Sequence, residues 1–164
     1  MMKKLVFAVA LALPAGGAAA QDAFVEFKAL KPELAIRAAV AAMDYCRAEG
    51  YQVGVAVTDR FGTLQAFVRD RFAGAHVEET ARRKAWTAAS FRTDTLALGE
   101  LTAPGTMFSG IRDLSQPLAL GGGVMIEHAG SIVGAIGVSG APGPDLDDDC
   151  ARQGIAAIQE EMGF

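Results

Sequence analysis

The period of the hydrophobic pattern changes several times along the chain, and each change marks an element. Over residues 32–49 the apolar positions Leu34, Ala38, Ala41 and Tyr45 recur at i, i+4, i+7 and i+11, the spacing of one stripe on a helix. Pro32 suits a first-turn position, and Gly50 supplies a C-terminal stop. The period then falls to two. Residues 53–58 alternate valine with small residues, and over 63–69 Leu64, Ala66 and Val68 share one face. Both are strand patterns. Between them Asp59-Arg60-Phe61-Gly62 forms a tight turn with a glycine able to take positive φ, so the pair predicts a β-hairpin.

After a loop over residues 70–76 the helical period returns for 77–91. There Ala81, Ala85, Ala88 and Ala89 make a face small enough to pack closely on a sheet. Residues 93–101 predict a short third helix, ended by Pro104-Gly105. An apolar run at 118–120 stops at Gly121-Gly122-Gly123, which reads as a turn needing positive φ. Residues 124–127 and 131–139 then predict strands joined by a turn at His128-Ala129-Gly130. The last helix is expected over 145–162, with Asp147, Asp148 and Asp149 as a solvated start favoured by the helix dipole. Strands joined by short turns are antiparallel, which excludes a doubly wound parallel sheet. The expectation is an α/β chain of the α+β kind: a single antiparallel sheet of about five strands flanked by helices.

The N-terminus follows a different logic. Lys3 and Lys4 precede an apolar core from Leu5 to Leu13, then Pro14, Gly16 and Gly17, then Ala18-Ala19-Ala20 before Gln21. This is the layout of a secretory signal over residues 1–20, with a mature single domain over 21–164 and a periplasmic or secreted destination. The apolar core is too short to span a bilayer, and no long apolar run follows it. Without Lys3 and Lys4, 13 basic residues face 19 acidic ones. No basic cluster remains that could track phosphates, so nucleic acid is excluded as a partner. Cys46 and Cys150 are the only cysteines. In an oxidising compartment they are expected to form one disulfide.

Candidate chemistry is sparse. Gly137-Val138-Ser139-Gly140-Ala141 lacks the last glycine of a nucleophile elbow and leads into a Pro/Gly loop. No glycine-rich phosphate cradle and no protein-only zinc or calcium ligand set is present. The two histidines remain. His76 precedes a helix, and Arg69, Arg71, Arg82, Arg83 and Lys84 lie near it in sequence. That cationic neighbourhood suits carboxylates on a ligand. His128 sits in a turn. No catalytic residue is assigned.

Several segments are similar to one family. Residues 55–62 (Val-Ala-Val-Thr-Asp-Arg-Phe-Gly), Arg69-Asp70, residues 81–88, Gly121-Gly122-Gly123-Val124-Met125-Ile126 and residues 133–140 resemble, in order and spacing, the GlcG/HbpS family of haem-binding-like proteins. The resemblance runs from about residue 33 to about residue 160. It implies an α/β/α layered, profilin-like fold and a homo-oligomer. It also implies that some members bind haem non-covalently, and that the module occurs attached to corrinoid adenosyltransferases. The resulting expectation is an exported haem-binding protein for haem storage, sensing or protection. Haem b would be held without a covalent link, since no C-x-x-C-H motif occurs. His76 would ligate the iron, with Arg69, Arg82 and Lys84 as cofactor-binding residues at the propionates and Phe72 as part of the wall. His128 is the competing donor, and Tyr51 and Met107 are weaker ones. The alternatives are an enzyme acting on a small anionic metabolite at Asp59, Arg69 and Lys84, and an oligomeric scaffold without a ligand.

Overall fold

The computed structural model describes residues 25–163; the expected signal segment lies outside them. Helix α1 (Pro32–Ala48) leads into the hairpin β1 (Gly54–Asp59) and β2 (Leu64–Arg69). Helices α2 (Val77–Phe91) and α3 (Thr95–Leu101) follow, then a short 3-10 turn (Ser109–Asp113). Strands β3 (Gly123–His128) and β4 (Ser131–Ser139) form a second hairpin, and α4 (Pro144–Ala156) and α5 (Gln159–Met162) close the chain. The strands form one antiparallel sheet in the order β2-β1-β4-β3.

Alternation along the central strands sorts side chains into two layers. Val55, Val57, Ile136 and Val138 pack with Ala35, Ala38, Ala42 and Ala151 of α1 and α4. On the other face Ala56 packs with Ala81 and Ala85, and Ala135 with Ala88 and Ala89, all on α2. The result is a three-layer α/β/α sandwich, as expected.

Four details differ from the sequence reading. The sheet has four strands, where about five were expected: residues 118–120 do not join it, and the Leu118 N–H donates to Thr87 Oγ1 at 2.9 Å instead. The buried stripe of α1 is Ala35, Ala38, Ala39, Ala42 and Cys46, while Tyr45 stays 37% exposed. The cause is close approach of α4: a Cβ added at Gly154 would lie 2.6 Å from the Ala38 carbonyl oxygen and 2.8 Å from Ala42 Cβ. Only small residues fit such a seam. The last helix breaks after Ala156, where Ile158 turns into the core. Finally, Asp147 and Asp148 are buried, not solvated, on the inward face of α4 with Cys150, Ala151 and Gly154.

Cys46 and Cys150 are joined by a disulfide, with Cα atoms 5.6 Å apart. It ties the last turn of α1 to α4.

Candidate functional site

The residues around His76 disperse. His76 is exposed at the start of α2, its ring folded over Gly74. Phe72 is 80% exposed nearby. Arg69 donates to the Ala73 carbonyl at 3.0 Å, and Arg82 stands 3.9 Å from Glu78 one turn away. Lys84 leaves this surface altogether. It falls three residues after Ala81 on the buried face of α2, and its side chain is fully buried. Its ammonium donates to the Val138 carbonyl at 2.9 Å and to Asp147 Oδ2 at 2.7 Å, while Asp147 Oδ1 accepts from the Ala141 N–H. Burial pushes Lys84 down and Asp147 up from their ordinary pKa values, and their pairing opposes both shifts. Lys84 is therefore an internal tie between α2, β4 and α4 and cannot reach a propionate.

The three residues of the small-metabolite alternative are not brought together either. Asp59 ends β1 and its Oδ1 accepts from the N–H groups of Phe61 and Thr63, closing the hairpin turn. Arg69 pairs with Gly54 at the other end of β1. Lys84 is buried beneath the sheet.

A cleft assembles elsewhere. Residues 28–31 cross the end of the sheet, anchored by buried Leu30, whose N–H donates to Val133 O at 3.4 Å and whose carbonyl accepts from Gln65. Between this segment, α1, α5 and the second hairpin lies a hollow of about 530 Å³. Leu30, Leu34, Val133 and Met162 give it an apolar floor, and Lys28, Lys31 and Arg37 give it cations. Glu33 and Glu161 also line it, and Arg37 pairs with Glu161. His128, at the end of β3, is half-buried on its wall. Lys28 Nζ lies 2.8 Å from His128 Nε2. An ammonium has no acceptor capacity, so Nε2 meets it with a lone pair, the same lone pair a metal would take. His128 also borders a second hollow of about 370 Å³ with Phe27, Lys28 and Arg60.

Chemically, the arrangement offers an imidazole donor, an apolar floor and cations, which together suit an amphipathic anion with an electrophilic centre. Its volume is in the range of small-molecule and cofactor pockets. The donor set fits haem: an imidazole, an apolar wall, and cations for carboxylates. Of the weaker donors, Met107 is 88% exposed and Tyr51 packs beside the core. Met162 in the cleft floor was missed by sequence reading, because most of its neighbours there, between Lys28 and Arg37, lie more than a hundred positions away.

The fold and cleft define a small three-layer α/β/α domain with an apolar, cation-rimmed cleft at the end of its sheet. The chain belongs to the HbpS-like family: the model of that family, described as haem degrading protein HbpS-like, matches residues 30–156. Among solved structures, a double mutant of HbpS from Streptomyces reticuli is 35% identical with a TM-score of 0.76, covering 91% of this chain and 97% of that one. The PduOC:heme complex is 30% identical with a TM-score of 0.75, covering 79% of this chain and 95% of that one. The corrinoid adenosyltransferase PduO of Salmonella typhimurium (strain LT2) is 34% identical over 116 residues, 68% of this chain and 34% of the relative. This chain thus spans about a third of the length of that curated relative.

Proposed function

We propose that this protein binds haem b non-covalently in the cleft beside His128, with His128 Nε2 as axial donor. The observation that carries the reading is the half-buried imidazole, its Nε2 lone pair held by Lys28, on the wall of an apolar cleft with a cationic rim. Lys28 and Lys31 would hold the propionates. The family and the haem-bound state of PduOC support the ligand class. The cleft replaces the expected His76 site because it gathers donor, wall and cations in one place. Bound haem would supply Lewis acidity and redox chemistry at iron, which suits storage, sensing or protection.

Hemin titration followed at the Soret band tests this. Wild type should saturate, His128→Ala should lose the ligated spectrum, and His76→Ala should keep it. The reverse pattern would return the assignment to His76, and no saturable change in wild type would remove haem as the ligand.

The same reading places the mature protein outside the cytoplasm, supported by the signal pattern of residues 1–20 and by the disulfide. Intact mass of protein from its host should correspond to a chain starting near Gln21; a mass retaining Met1–Ala20 would reject export. A homo-oligomer is supported by exposed Leu101, Met107, Phe108 and Leu114, which cluster within 14 residues. A monomer mass in light scattering would reject that assembly.

A further inference from the structure

The chain carries ten arginines. Eight of them meet a protein oxygen: Arg37, Arg47, Arg71, Arg82, Arg83 and Arg152 pair with carboxylates, and Arg69 and Arg112 donate to carbonyls. Among the described residues, Arg60 and Arg92 meet none. These two line the same two adjoining hollows, of about 240 and 280 Å³, at the turn end of the sheet. Ile132 lines both hollows, Ser90 lines one and Ser131 the other. Glu127 lines the second hollow but is not within ion-pairing distance of either arginine. In a protein of net charge −4, two guanidiniums left without an acid while sharing a hollow form an unmet demand for an anion.

Ring contacts position the Arg60 side chain, and the backbone fixes where Arg92 stands. The Arg60 guanidinium lies over the rings of Phe27 and Phe61, 5.1 and 5.7 Å from their centroids, and the two rings meet edge to face. Such stacking uses the face of the guanidinium and leaves its in-plane N–H donors available. Arg92 caps α2 in a left-handed conformation, φ 51° and ψ 46°. Glycine is the usual residue there, and a side chain at that position is strained. The negative end of the helix dipole favours a cation at Arg92, but that alone does not require it to share a hollow with Arg60.

We propose that Arg60 and Arg92 form a binding site for a small dianion, a phosphate monoester or a dicarboxylate, with Ser90 and Ser131 as further donors. Arg60 and Ser131 also border the hollow of about 370 Å³ that His128 touches, but none of the four lines the cleft proposed for haem, and the proposal does not depend on haem binding.

Calorimetric titration of the whole mature protein with inorganic phosphate, and separately with succinate, tests the proposal. At least one should give saturable binding in the millimolar range. Arg60→Ala and Arg92→Gly should each weaken it about tenfold or more, as expected for a charge-assisted hydrogen bond. Saturation by phosphate alone assigns the phosphate class, and by succinate alone the dicarboxylate class. Arg71→Ala, at an arginine that lines neither hollow, should bind the anion as wild type does. Arg92→Gly should also melt at a higher temperature than wild type, so its lost binding cannot be ascribed to unfolding. The proposal is overturned if neither anion saturates wild type, if the Arg60→Ala/Arg92→Gly double variant binds unchanged, or if Arg71→Ala weakens binding as much as Arg60→Ala does.

Discussion

At the residue scale the least replaceable contact is the pair Lys84–Asp147. Both side chains are almost fully buried, and between them they satisfy the Val138 carbonyl and the Ala141 N–H. Removing one partner leaves the other charge without compensation. Lys84→Met is therefore expected to lose about 3 to 5 kcal/mol of stability at pH 7. Replacing both, as Lys84→Met/Asp147→Leu, should recover most of that loss. The pH dependence has a definite sign. Burial raises Asp147 above the ordinary carboxylate value of about 3.9. In the single variant the folded state then takes up a proton more readily than the unfolded chain as pH falls, so the penalty shrinks toward acid pH. Urea unfolding of wild type and both variants between pH 5 and 8 measures this. A single-variant penalty independent of pH would contradict it.

At the element scale the packing of α2 on β4 sets the spacing of the layers. A Cβ added at Gly137 would lie 2.1 Å from the Ala81 carbonyl oxygen and 2.6 Å from the Ala85 nitrogen. Both are helix backbone and cannot step aside. Gly137→Ala should cost about 1 to 3 kcal/mol, the range for overpacking. Gly110→Ala, where a Cβ would meet nothing, should stay within about 0.5 kcal/mol. Thermal melts of the two variants compare them directly. The alanine face of α2 was legible in the sequence because its period is local, and so was the first hairpin, whose Gly62 takes φ +84° in the turn. The same helical spacing places Lys84 on that buried face, a signal the clustering of charges along the sequence obscured. Likewise Asp147, Cys150, Ala151 and Gly154 share one helical face, which marks Asp147 as inward. Residues 118–120 carried apolar character without enough length to declare a strand.

At the scale of the whole molecule, what sequence proximity cannot show is which distant segments meet. The cleft joins residues 28–37, 128–133 and 161–162, so His128 looked solitary in the sequence while its cations, between Lys28 and Arg37, lay about ninety to a hundred positions away. The disulfide was legible because only one pairing exists, and it closes the same long-range geometry: Cys46 and Cys150 are 104 positions apart, both buried, at the seam where Ala38 and Ala42 meet Gly154. Closing so long a loop restricts the unfolded chain far more than the folded one. The chain-entropy model puts the gain at about 4 to 5 kcal/mol, an upper figure because strain and residual structure reduce it. Cys46→Ala/Cys150→Ala should therefore lower the midpoint of denaturant unfolding and steepen its slope, since the denatured chain without the cross-link exposes more surface, and most of the loss should be reproduced by reducing wild type. Alanine fits the seam, so the double variant should still fold and its loss should report the cross-link itself. A double variant as stable as oxidised wild type, or two free thiols titrated in the denatured, unreduced protein, would show that the bridge does not staple α1 to α4.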